Sequence, residues 1–208
     1  MRRLILYTVL LTGATLMTTG IATSQTSAVA SKPVHKNSVD LGLTYTPEYA
    51  RIVNQNCSCF WLQGVSGDVS VNFHHGLGVD VALTEGMASN IQPGVNLSKF
   101  TFAAGPRYTW DTAKWKHGKI AGHSGRIFLE SLGGMAHGYN SVFPAPGGSI
   151  VSANSYSIQL GGGADVLLAR GFGLRLAELD WVRTALPNAS SNTQDDLRFG
   201  VGLSYRFK

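Results

Sequence analysis

Apolar and small-or-polar residues alternate along most of this chain. In the terminal segment LRFGVGLSYRFK, Leu197, Phe199, Val201, Leu203, Tyr205 and Phe207 are separated by Arg198, Gly200, Gly202, Ser204 and Arg206. A period of two belongs to a strand whose two faces differ chemically. The same period predicts strands at VDLGLTYTPEY, WLQGVSGDVSVNFHH, LGVDVALT, KFTFAAGPRYTW, RIFLESLGGMAHGYN, YSIQLGGGADVLLA and FGLRLAELDWVRT. The terminal segment makes the eighth. The alternation is blurred in RIFLESLGGMAHGYN, where both faces carry apolar residues. It slips by one near Ala177 and Glu178, as a β-bulge would make it. Pro106 removes a ladder donor, and a bulge or bend is expected there too. No segment keeps a helical period for three turns.

The connections come in two kinds. HHGLG and ARGFG are tight turns, whereas loops around 51–60, 90–98, 141–155 and 185–196 are longer. Short turns at one rim and long loops at the other are the plan of an outer-membrane barrel. The connection at 111–124 is longer than that plan predicts.

Alternation does not say which face meets water, but the composition of the polar face does. Facing water, it would be rich in Lys, Glu and Gln. It carries instead glycines, small polar residues and a few charges: Asp40, Asp68, Asp80, Asp165, Arg107, Arg175, Arg198 and Arg206, with Asp180 added. Charged residues make up only 14% of the chain, against about 25% in ordinary globular domains. Small residues with balanced Asp and Arg suit a crowded interior, where charges must pair to offset desolvation. The opposite face holds Leu and Val in its middle and aromatic residues towards strand ends, like the girdles of a membrane barrel. The expected fold is therefore all-β: an eight-stranded antiparallel up-and-down transmembrane β-barrel over 38–208. Phe199 to Phe207 face lipid and the arginines lie within. A soluble lipocalin-like binding barrel is the inverted alternative.

The mean hydropathy of +0.05 is too low for a helical membrane protein. Residues 1–30 open with Arg2 and Arg3, continue apolar and end in small residues. These are the three regions of a secretory signal peptide, with cleavage expected near 24 or 30 and a short lead at 31–37. Its removal lowers the net charge from +5 to +3. That excess, with no basic cluster among aromatics, argues against nucleic acid. Cys57 and Cys59 are the only cysteines. Strand residues two apart hold their Cβ atoms roughly 7 Å apart, too far for a disulfide. A bond between them requires a turn, and a loop disulfide and two thiols both stay open.

KFTFAAGPRYTW, GGGADVLLARGFGLRLAELDWVRT and DDLRFGVGLSYRFK resemble the short bacterial outer-membrane barrels of the OmpA-like transmembrane/porin group. The resemblance implies an outer-membrane protein that meets lipid, without a peptidoglycan-binding domain. It also implies a terminal strand read by the barrel-assembly machinery. Lys208 after Phe207 departs from the usual aromatic end.

Catalytic signals are weak. GHSGR sets His123 beside Ser124, with Glu130 six residues on, but Arg126 stands where G-x-S-x-G needs its last glycine. Adjacent strand residues also point opposite ways. His74 and His75 read as a turn, and GGGAD lacks the spacing of a nucleotide loop. No catalytic residue, metal site or cofactor is expected. The expected role is structural or surface-interactive through the loops, with an unknown loop ligand. A narrow low-conductance pore and a lipid-modifying hydrolase are the alternatives.

Overall fold

The alternating segments fold as strands because each buries one row of side chains and leaves the other exposed. The computed structural model describes residues 37–52, 58–112, 119–120, 123–169, 171–188 and 192–207. Residues 1–36, read above as the signal and most of the lead, lie outside them, as does Cys57. The strands are β1 (Ser38–Tyr45), β2 (Glu48–Ile52), β3 (Ser58–His74), β4 (Leu77–Gln92), β5 (Val95–Asp111), β6 (Lys119–Ile120), β7 (His123–Tyr139), β8 (Phe143–Ala145), β9 (Gly148–Ile150), β10 (Ala153–Ala169), β11 (Phe172–Thr184) and β12 (Gln194–Phe207).

Neighbours pair antiparallel in the order β1-β12-β11-β10-β7-β5-β4-β3, and β1 pairs with β3 to close the ring. β2 continues the line of β1, pairing with the same two neighbours. The break between them is at Thr46 and Pro47, where proline has no N–H to give. The local backbone bonds are still made: Thr46 N–H donates to Gly64 and Phe199 N–H to Pro47. Counting β1 and β2 as one stave, the barrel has eight. β6 pairs only with β7, and β8 and β9 form a separate hairpin.

The two faces sort as the alternation predicts. Leu43, Val201 and Leu203 on the exterior are each more than half exposed, whereas Asp80 and Thr84 within the barrel are buried. On β3 the exterior is apolar from Val65 to Phe73, with Gln63 above. On β12 the exterior is apolar over the ten steps from Leu197 to Phe207; at about 3.4 Å each and about 40° of tilt they give a belt roughly 26 Å tall, the height of the apolar band of a membrane barrel.

Two local expectations change, at 90–98 and at Pro106. The segment 90–98 is mostly strand: β4 and β5 are joined by a two-residue turn at Pro93 and Gly94, with a register shift between Ala88 and Gln92. Pro106 makes no bulge. The β5–β7 register is the same on both sides of it, and Gly105 and Pro106 simply drop out of that ladder. Val166 keeps the exterior parity, in register with exposed Leu174, and is nevertheless buried. In β7, Phe128 and Leu132 point inward with Arg126, and Leu129 and Met135 point outward. The slip near Ala177 coincides with a register shift between Arg175 and Glu178. At the turn after β3, His75 and Gly76 have φ of 53° and 91°. Two positive values in a row are what a tight hairpin turn requires.

Candidate functional site

The strands deliver their small and charged residues to the lumen, and there the charges meet in two groups. Nearer the turn rim and mid-barrel lies the larger. Arg107 donates to Asp68 at 3.0 Å and to Asp80 at 3.1 Å, with Glu130 at 3.6 Å. Arg175 reaches Asp68 at 2.6 Å, Asp165 at 3.1 Å and Glu178 at 2.7 Å. Arg126 bridges Asp40 at 2.7 Å and Asp165 at 3.2 Å. Arg206 grips the same Asp40 with two bonds of 2.6 and 2.7 Å. Asp68 and Asp165 each serve two arginines, so these pairs form one connected network.

The second group lies towards the loop rim. Arg198 forks onto Glu48 at 3.0 and 3.1 Å and reaches Gln159 at 3.2 Å. Lys99 donates to Glu48 and, at 2.9 Å, to Asp196.

Of the nine charged residues singled out from the sequence, eight take part in these groups, and the ninth, Asp180, stands beside Glu130 and Glu178. The partner of Arg198, however, is Glu48 rather than one of the four aspartates. Sequence reasoning did not assign Glu48, Lys99, Arg126, Glu130, Glu178 and Asp196 to the lumen. Parity was the signal that could have found two of them. Lys99 shares the phase of Thr101 and Arg107, and Arg126 the phase of Phe128 and Glu130. Phe128 is accommodated among charges because Arg107 stacks over its ring at 3.6 Å and Arg175 lies 4.7 Å away. Guanidinium groups favour aromatic faces.

Two of the ties cross the full diameter of the barrel. Arg126 on the fifth stave reaches Asp40 on the first, and Lys99 on the fourth reaches Asp196 on the eighth. An eight-stranded barrel is just wide enough for side chains to fill it, and here they meet in the middle. Apolar groups add to the filling. Leu62 packs with Ala50 and Ala88, Leu132 with Ala82 and Ala103, and Phe143 with Ala153 and Leu186. A Cβ on Gly42 would lie 2.0 Å from Oδ1 of Asp68, whose carboxylate is held by Arg175 at Oδ1 and Arg107 at Oδ2. Gly42→Ala is therefore expected to cost about 1–3 kcal/mol, read as a lower urea midpoint of the folded form.

Other candidate chemistry is dispersed or lies within the charged lumen. His123 and Ser124 lie at the start of β7, opposite Ile120 and Lys119. Glu130 faces the lumen beside Arg107, roughly 20 Å further along the strand from Ser124 at 3.3 Å per residue. Oxygens of Glu130, Glu178 and Asp180 lie within 4.8 Å of one another. Arg107 and Arg175 stand beside Glu130 and Glu178, while Glu130 Oε2 and Asp180 Oδ1 are buried without a hydrogen-bond partner among the described residues.

No family model matches the sequence, and no curated protein matches it. Solved structures do match the fold. Neisserial surface protein A superposes with a TM-score of 0.55 at 10% identity, over 82% of this chain and 97% of that one. The attachment invasion locus protein Ail of Yersinia pestis superposes with a TM-score of 0.52 at 16% identity, over 83% and 99%. The closed ring of eight staves, polar within and apolar without, is the fold of the small bacterial outer-membrane β-barrels.

Proposed function

We propose that this chain is an integral outer-membrane protein with a side-chain-filled lumen, whose role is structural or surface-interactive through the loops at one rim. The observation that carries this reading is the inverted distribution of polarity. A barrel in water would turn Leu43, Val69, Val81 and Leu203 inward, yet these are exposed while Asp68, Asp80 and Arg107 are buried. Export by residues 1–30 and delivery through the terminal strand to an assembly machinery belong to the same proposal. Ties across the lumen favour a sealed barrel over a narrow pore.

Two measurements test it. The protein folded in phosphatidylcholine vesicles is expected to migrate differently on gels with and without boiling. In planar bilayers it is expected to give no steady conductance. Discrete low-conductance openings would establish the pore. Full-length protein found soluble in a periplasmic fraction would overturn membrane insertion.

A further inference from the structure

Cations are distributed unevenly between the two faces. Among the described side chains, Lys99, Arg107, Arg126, Arg175, Arg198 and Arg206 line the lumen, and two cations, Arg51 and Arg183, stand on the exterior. Those two are neighbours in one cross-strand row. Arg183 pairs in register with Asp195, and Arg51 and Asp195 each lie two residues beyond the Leu197–Tyr49 pair at which the β2–β12 ladder ends. Arg51 and Arg183 are thus two strand spacings apart, roughly 10 Å. The row carries two positive charges against one negative.

Its height is also informative. Twelve residues separate Asp195 from Phe207 at the turn rim. At about 3.4 Å each and about 40° of tilt this is roughly 31 Å, one step above the apolar belt and level with lipid headgroups. Directly below lie Trp181, Tyr49, Trp61 and Phe199, the Trp61 ring 5.1 Å from that of Tyr49 and 6.1 Å from that of Phe199. Arg183 leans towards this aromatic patch, its guanidinium 4.9 Å from the Trp181 ring. Its bonds to Asp195, of 2.7 and 2.8 Å, use Nε and Nη2, and Nη1 takes part in neither. Asp195 thereby fixes one guanidinium at the edge of the belt without using all its donors.

We propose that the Arg51–Asp195–Arg183 row docks the phosphate groups of a phosphorylated glycolipid in the leaflet at the loop rim. Guanidinium donors match phosphate oxygens in geometry and charge. The aromatic patch beneath would lie against the acyl chains of the same lipid. The proposal rests on the reading of the exterior as a membrane belt.

The test uses the whole protein in three vesicle preparations: phosphatidylcholine alone, phosphatidylcholine with bisphosphorylated lipid A, and phosphatidylcholine with dephosphorylated lipid A. The readout is the temperature at which the folded gel band is lost. The phosphorylated lipid is expected to raise that temperature and the dephosphorylated lipid to leave it unchanged. R51Q/R183Q is expected to fold in phosphatidylcholine and lose the rise, and D195N, freed of the competing carboxylate, to enlarge it. If the double variant does not fold, R51Q alone is expected to reduce the rise. No rise in the wild type, or an equal rise in the glutamine variants, overturns the lipid site. Failure of the wild type to fold in phosphatidylcholine overturns the membrane belt instead.

Discussion

Arg175→Ala is expected to lower the stability of the folded barrel by about 3–5 kcal/mol, the cost of stranding buried charge. Arg175 is itself buried and is held by Asp68, Asp165 and Glu178, which come from three different strands. Alanine leaves Asp68 with Arg107 alone and Glu178 without its guanidinium, beside Glu130 and Asp180. Urea titration in lipid vesicles, followed by the folded gel band, reads the loss. Arg183→Ala is the contrast. That pair is about two-fifths exposed on each side, and such pairs contribute less than about 1 kcal/mol. A small loss at Arg175 would mean that the lumen is hydrated and its charges screened.

Val69→Arg is the second large effect, and it separates the two media directly. Val69 stands in mid-belt on the exterior, between Leu41 and Val81 in neighbouring strands. An arginine at the middle of a bilayer costs a membrane barrel about 2–4 kcal/mol. The same change on a water-facing surface falls within about 0.5 kcal/mol. Equal urea midpoints for wild type and variant in phosphatidylcholine vesicles would remove the belt from the membrane.

The barrel was legible in the sequence because inside and outside differ at every second residue. The terminal strand shows why. Arg198, Gly200, Gly202 and Ser204 could share a lumen, and Phe199 to Tyr205 could share a lipid face, with no exception to reconcile. Legibility failed where that contrast weakened. β7 places Phe128 and Leu132 inside, so both of its faces read as apolar and Arg126 and Glu130 were not assigned a side. Lys99 opens the expected strand KFTFAAGPRYTW at its edge and was given no face, yet β5 begins at Val95 and carries it inward to Glu48 and Asp196. Glu178 follows the register shift, where counting by twos no longer tracks the face. The pairing of particular charges depends on which staves face each other across the ring, a property of barrel closure that no local pattern encodes.

The ties between the first and last staves bear on how the molecule comes together. Arg198 and Glu48 are 150 positions apart in the chain, and Arg206 and Asp40 are 166 apart. Closing so long a loop costs entropy before any contact repays it, which makes folding slow. Until β12 docks, Glu48 and Asp40 lack their arginines from that strand, and β1 and β11 lack the neighbour that completes the ring. An open edge and unpaired carboxylates are both costly in lipid. Zipping of the final strand and expulsion of water from the lumen are therefore expected to form one cooperative event. A partly closed barrel is then a species to be shielded during assembly rather than a resting state in the bilayer.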